Sequence, residues 1–210
     1  MLKIAPEGWP FIIGSMVLTV AVILIGRNWT VVFPIVLLLF MLFFFRDPER
    51  EIPAGADLIV SPADGRVIVV KEVFEPSHLK ARAKQISIFM SPFNVHVNRS
   101  PLNGKVVDVI PKKGRFKAAY KDEAASSNEN TVMLLETDHG KVMVRQVAGF
   151  VARRIVCRVS KGDELLRGQR YGIIKFSSRV DVFLPIDVEV AVSLDDHIKA
   201  GESIIARIKK

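Results

Sequence analysis

Sulfur is almost missing from this chain as a source of chemistry: one cysteine, Cys157, in 210 residues. A lone thiol excludes an internal disulfide, and the setting Ile155-Val156-Cys157-Arg158-Val159 reads as an alternating core strand rather than a nucleophile's surroundings. Histidine is sparse too. His78, His96, His139 and His197 are scattered, without the Cys/His spacing that holds a metal, and nothing suggests pyridoxal phosphate. After residue 50 there is no long stretch of helical period, which excludes a mainly helical domain there. Acidic residues are fewer than basic ones, 22 against 30, for a formal net charge of +8. No nucleic-acid motif goes with that charge, and the basic residues are not interleaved with stacking aromatics, so nucleic acid is excluded as a partner.

What is abundant is apolar sequence at the N-terminus. Between Trp9 and Phe45 the only charge is Arg27, and residues 9–26 and 28–45 form two apolar runs of 18 residues each. At about 1.5 Å per residue a run reaches roughly 27 Å, near the hydrocarbon thickness of a bilayer. A cleaved signal peptide would show one shorter run and a small-residue cleavage site. A helical hairpin buried in a soluble core would need every face covered, Phe43-Phe44-Phe45 included. The reading is therefore a membrane hairpin, with Trp9 and Trp29 at the run edges and Pro34 kinking the second helix or limiting its depth. Arg46 and Arg50 flank the exit while the loop offers Arg27, which places the globular part on the cytoplasmic side of the cell membrane. The clusters Lys112-Lys113-Gly114-Arg115-Phe116-Lys117 and Arg153-Arg154 suit anionic headgroups or ordinary solvated loops equally.

The charged, Pro/Gly-bearing stretch 46–55 is a linker. It divides the chain into residues 1–50, an anchoring hairpin and linker, and residues 51–210, a domain of short strands. Candidate strands are 58–60, 66–74, 85–90, 95–98, 104–110, 131–137, 142–147, 155–159, 171–176, 179–184, 187–192 and 203–208, and the small polar segment 122–130 reads as a mobile loop. Asp163-Glu164-Leu165-Leu166-Arg167-Gly168 and Asp196-His197-Ile198-Lys199-Ala200-Gly201 form a faint repeat, each followed by a strand at the same offset. The pattern resembles the turns of lipoyl-type barrel-sandwich folds. The fold class is mostly β: a barrel-sandwich-like β domain preceded by an N-terminal α-helical membrane hairpin.

Three motifs carry a family resemblance. Lys175-Phe176-Ser177-Ser178-Arg179-Val180-Asp181 is similar to the self-cleavage segment of the short, prokaryotic type of phosphatidylserine decarboxylase, with Ser177 standing where that family has glycine. Ser61-Pro62-Ala63-Asp64-Gly65 resembles the family's segment with a processing aspartate, and the segment 90–101 around Phe93-Asn94-Val95-His96-Val97-Asn98-Arg99 resembles its histidine segment. The resemblance implies cleavage between residues 177 and 178 and conversion of Ser178 into a pyruvoyl group, a ketone that forms a Schiff base with the substrate amine. It implies His96 as the base that activates Ser178, and Asp64 as the residue that orients it. Where long-type members carry a second histidine the chain has Arg99, which together with His96 is then a candidate for holding the substrate. The implied partners are phosphatidylserine in the membrane, or an archaetidylserine, and the chain's own two fragments. A homo-oligomer is left open.

The residues themselves are compatible with these roles. A serine hydroxyl is a poor nucleophile at neutral pH and needs a base, which in turn needs orienting. Strand alternation sets His96 with Asn94 and Asn98 on a polar face opposite Val95 and Val97, where an ordinary polar-face histidine would also sit. Alternation likewise puts Ser178 in phase with Val180, Val182 and Leu184, facing a dry interior, and turns Arg179 and Asp181 the other way as a cross-strand ion pair. Two other readings stand beside the decarboxylase. One is a membrane-anchored barrel-sandwich adaptor without catalytic activity; the other is a serine hydrolase using Ser178 directly, for which no nucleophile-elbow glycines are present.

Overall fold

The computed structural model describes residues 3–26, 29–114, 127–149, 154–176 and 178–209. The chain divides into two compact units, Met1–Glu49 and Arg50–Lys210.

In the first unit a short turn, Pro6–Gly8, leads into α1 (Trp9–Leu24), which packs on α2 (Val32–Phe44). The buried residues of α1, Ile12, Ser15 and Thr19, fall on one stripe, and the two hydroxyls bond back to Ile12 O and Ser15 O, so the seam is narrow and carries no unsatisfied polar group of theirs. Most other apolar side chains of both helices point outward, among them Val17, Leu24, Phe33 and Leu39. The two helices differ in length. Pro6–Leu24 has the length and composition to cross a membrane, whereas α2 has 13 residues, about 20 Å of helix against a hydrocarbon core of about 30 Å. Pro34 is one cause. It lies in the first turn of α2, where no amide hydrogen is required, so it opens the helix instead of kinking it. Arg27 lies outside the described residues.

The second unit is built from strands: β1 (Leu58–Val60), β2 (Gly65–Glu75), β3 (Ala81–Met90), β4 (Val97–Arg99), β5 (Gly104–Lys112), β6 (Asn130–Thr137), β7 (Gly140–Ala148), β8 (Ile155–Cys157), β9 (Glu164–Leu165), β10 (Arg170–Ile174), β11 (Ser178–Pro185), β12 (Glu189–Val190), β13 (His197–Ile198) and β14 (Ile204–Arg207). All pair antiparallel. Eight form one sheet in the order β13-β2-β3-β11-β7-β6-β5-β9, and two sheets of three, β1-β14-β12 and β4-β10-β8, complete the unit. One apolar core lies between them, drawing Ile86, Ile88, Leu135, Val142, Val144, Val180 and Val182 from the large sheet and Ile59, Ile174 and Ile205 from the small ones.

This arrangement has an approximate internal two-fold symmetry. The order of the large sheet reads the same after exchanging β13 with β9, β2 with β5, β3 with β6 and β11 with β7, and the exchange swaps the two small sheets. Its pivot is the cross-strand pair Val144/Val182. Details repeat: β2 bulges between Val67 and Val69, β5 between Val106 and Asp108. Val67 N bonds to Asp196 O at 2.9 Å and Val106 N to Asp163 O at 2.8 Å. The two Ser-Pro segments cross and exchange bonds, Val60 N to Pro101 O and Arg99 N to Pro62 O. Gly168 and Gly201 close equivalent turns at φ +77° and +78°, a conformation that disfavours any Cβ. The faint turn repeat in the sequence is the visible part of this duplication. At the end of segment 122–130, Asn128 is fully buried and bonds to Ala148 O, so that end belongs to the packed domain and not to a loop; residues 122–126 lie outside the described residues.

Candidate active site

Ser178 opens β11, the strand that lies between β3 and β7, with Met90 and Ala148 as its cross-strand neighbours. Ile174, four residues earlier, still belongs to β10 in a small sheet. The chain thus leaves one sheet after Ile174 and enters the other at Ser178. Phe176, at φ +63°, is a bulky residue in the left-handed region, a conformation that costs about 1–2 kcal/mol and is held here by the strands on either side. Ser177 lies outside the described residues. Ser178 is fully buried, and its hydroxyl donates to Met90 Sδ at 3.4 Å. As the alternation predicts, Val180, Val182 and Leu184 on its face belong to the core.

His96 immediately precedes β4 and extends its ladder, since Ile174 N donates to His96 O at 3.3 Å. Its ring is fully buried, with Nδ1 3.0 Å from Asn94 O. A carbonyl can only accept, so Nδ1 carries the proton of that bond, which makes Nε2 the basic nitrogen of the neutral ring. The polar face read from the sequence is in fact interior: Asn98 is fully buried, and its amide donates to Met90 Sδ at 3.7 Å, the sulfur that also receives Ser178. His96, Asn98, Met90 and Ser178 are thereby linked through β4, β10 and β3.

Asp64 and Arg99 meet at the turn closed by Gly201. Asp64 accepts both contacts of Arg50 Nη2, at 3.0 and 2.8 Å, and the Ala200 N–H at 2.8 Å. Arg99 donates from Nη1 to Gly168 O at 2.9 Å, and its Cδ lies 3.0 Å from the point where a Cβ on Gly201 would stand. Arg99 is 5% exposed, so its first role in this fold is to tie β4 to the turn at Gly168. Arg50 is a residue that sequence reasoning placed in a linker. A bond spanning the 14 positions from Arg50 to Asp64 leaves no periodic signal to find.

Behind Ser178, Arg179 and Asp181 form an ion pair in the interior. Asp181 is fully buried and accepts from Arg179 Nε and from the cross-strand Arg145, at 3.0 Å from Nε and 2.7 Å from Nη2. Arg179 also donates to Ser87 Oγ at 2.9 Å. Burial pushes the Asp181 carboxyl up, yet the Arg145 and Arg179 guanidiniums outweigh it and hold the group below the usual carboxylate range. Burial raises the Cys157 thiol, and raises the Tyr171 phenol well above its ordinary value, so neither is ionised at neutral pH.

With this geometry established, the chain can be set against known proteins. Residues 37–206 match the family model for phosphatidylserine decarboxylase. A phosphatidylserine decarboxylase proenzyme of Syntrophus aciditrophicus is 46% identical over 202 residues, covering 95% of both chains. Proteins of the same name from Geobacter metallireducens and Symbiobacterium thermophilum are each 47% identical, over 96% and 98% of this chain and 95% of their own. A match of this extent, with the buried Ser178 and His96 in the two motifs, shows that the chain belongs to the phosphatidylserine decarboxylase family.

Proposed function

We propose that this protein removes CO₂ from the serine headgroup of phosphatidylserine, giving phosphatidylethanolamine, after cleaving itself between Ser177 and Ser178. The observation that carries this reading is the placement of Ser178: a buried hydroxyl at the first residue of a central strand, two residues after the strained Phe176, in a chain of this family. The Ser178 oxygen attacks the carbonyl carbon of residue 177, and the peptide C–N bond breaks to leave an ester. Elimination then releases the fragment 1–177 as a carboxylate, and hydrolysis turns the residue left at 178 into a pyruvoyl group with loss of ammonia. His96, with its proton held on Nδ1 by Asn94 O, takes the Ser178 proton at Nε2. Asp64 supports this step from the turn at Ala200.

The residues around Ser178 fit such a group. Its neighbours are Met90, Ala148 and the core face of β11, which exclude water without competing for a carbonyl. The pyruvoyl carbonyl supplies the electron sink that decarboxylation of an amine-bearing substrate requires. His96 handles the proton that replaces CO₂. Arg99 meets the substrate anion only by sharing the guanidinium that holds Gly168.

The apolar α1 supports a membrane-bound enzyme with its catalytic domain on the cytoplasmic side, since a tethered enzyme meets a lipid substrate at high effective concentration. Intact-mass measurement of the purified protein tests the whole reading. Two fragments, 1–177 and 178–210, are expected, the smaller refractory to Edman degradation. Ser178→Ala is expected to give one folded, uncleaved, inactive chain, and Ser177→Gly to cleave faster. Full decarboxylase activity in Ser178→Ala would reject the pyruvoyl mechanism, and a single unmodified chain without activity would favour an adaptor.

A further inference from the structure

The internal symmetry offers a control built into the molecule, because each position near Ser178 has a counterpart at the opposite end of the central strands. Asn98 pairs with Gly172 directly after a bulge, and Ile59 pairs with Ala206 directly after the matching bulge, so Asn98 corresponds to Ile59. Gln146 lies two residues past the pivotal Val144 as Leu184 lies two past Val182, so Gln146 corresponds to Leu184. Met90 faces Ser178 across β3 and β11, as Thr137 faces Gly140 across β6 and β7. Ile59 and Leu184 are fully buried in the apolar core. The fold is therefore satisfied by hydrocarbon at these two positions.

At the end of the central strands that holds Ser178 the same two positions carry amides, fully buried at Asn98 and 1% exposed at Gln146. Gln146 Nε2 donates to Asn98 Oδ1 at 2.8 Å, Asn98 Nδ2 donates to Met90 Sδ, and Ser178 Oγ donates to that same sulfur. Gln146 Oε1 has no hydrogen-bond partner among the described residues, so the pair is not there to complete a bonding network. Room is also made for it. A Cβ on Gly172 would come within 3.0 Å of Gln146 Nε2 and 2.3 Å of Val156 O, and the counterpart of Gly172 is Ala206. Buried amides with an unsatisfied carbonyl weaken a core that Ile and Leu would fill, and of the two equivalent places the one beside the reacting serine holds them.

We propose that Asn98, held by Gln146, is a positioning residue for self-cleavage: it fixes the Met90 thioether and with it the direction of the Ser178 hydroxyl. This rests on the reading of Ser178 given above. A thioether is a weak acceptor, so it steers the hydroxyl without trapping it and leaves the proton for His96.

The test uses the full chain in detergent, with newly made protein followed by mass spectrometry as it converts into fragments 1–177 and 178–210. Alongside are the melting temperature of each variant on a Ser178→Ala background and the pH profile of cleavage. Asn98→Ile combined with Gln146→Leu gives this end the side chains of the other. The double variant is expected to melt at or above the wild-type temperature while cleaving about 10- to 100-fold more slowly, the range expected when a reacting group is misdirected by an ångström or less. The pH midpoint of cleavage should not move. Gln146→Met, close in volume, should fall between the two and serves alone if the double variant does not fold. Cleavage within about twofold of wild type, in whichever of these variants folds, overturns the proposal, and so does slowing matched by a fall in melting temperature. A wild-type chain that never cleaves overturns the Ser178 reading itself, which separates the two failures.

Discussion

Replacing Asp181 by Asn is the sharpest perturbation this structure offers, because it changes one charge and almost no volume. Asp181 is fully buried and holds Arg179, itself 1% exposed, together with the partly exposed Arg145. Without the carboxylate, Arg179 keeps Ser87 Oγ as a partner, but its positive charge stays in the interior with no counter-ion. Breaking a buried pair from one side costs about 3–5 kcal/mol, a large part of the roughly 5–15 kcal/mol that holds a domain folded. For a domain of this size each kcal/mol shifts the melting temperature by about 2–4 °C, so a drop of about 6–20 °C is expected. Calorimetry on the Ser178→Ala background keeps the comparison to one uncleaved chain. The pH dependence has a fixed sign. Since the folded carboxyl titrates below its unfolded value of about 3.9, its contribution is fully present above that value and is lost as pH falls through the lower, folded one. The gap between wild type and variant should hold steady from pH 8 to 5 and close only under stronger acid. Arg145→Met should cost less, because that side chain is 19% exposed and Asp181 keeps Arg179. A penalty below about 1 kcal/mol for Asp181→Asn, or a gap that closes near neutrality, would refute the reasoning.

Two further outcomes follow from the site. A chain truncated to begin at Arg50 should fold alone and be β-rich by circular dichroism, and one beginning at Glu51 should be less stable by roughly 1.5–3 kcal/mol, the range for a hydrogen bond to a charged group, because Asp64 loses its guanidinium. Identical urea midpoints for the two would show that Arg50 is a bystander. His96→Ala should slow self-cleavage by about 10²- to 10⁴-fold while the exposed His139→Ala and His197→Ala stay near wild type; normal cleavage in His96→Ala would remove it as the base.

Alternation was enough to locate twelve of the strands, because each half-buried strand prints its period on the side chains, and it placed Ser178 with Val180 and Val182 correctly. It could not find β9 and β13. These have two residues each, too few to show a period, and they exist because the turns around them repeat. It separated the faces at Asn98 and Asp181 but left their burial open, for a physical reason: polarity along a strand marks one face as different from the other, and only tertiary packing decides whether that face meets water. Both faces of β4 and β11 are covered. The contacts that define the site, Arg50 with Asp64 and Gln146 with Asn98, join residues distant in the chain, and no local pattern encodes them.

The symmetry also shows which parts of the site answer to chemistry and which to folding. Asp64 and Asn103 occupy equivalent places after the two Ser-Pro segments, and each accepts one backbone N–H of the facing turn, from Ala200 at 2.8 Å and from Arg167 at 2.7 Å. A neutral amide does this work at Asn103. The turn therefore needs an acceptor oxygen, not a charge, and the ionised carboxylate at Asp64 exceeds what the fold requires. Arg50 answers that excess charge, with Glu202 3.4 Å from its other nitrogen. The same comparison applies at Asn98 and Gln146, where the other end has Ile59 and Leu184. At three positions, then, the end that holds Ser178 carries the more polar residue although its counterpart shows that the fold would accept less. A duplicated fold can bear this cost because the equivalent place at the other end keeps the less polar version of each contact, and both ends share one core.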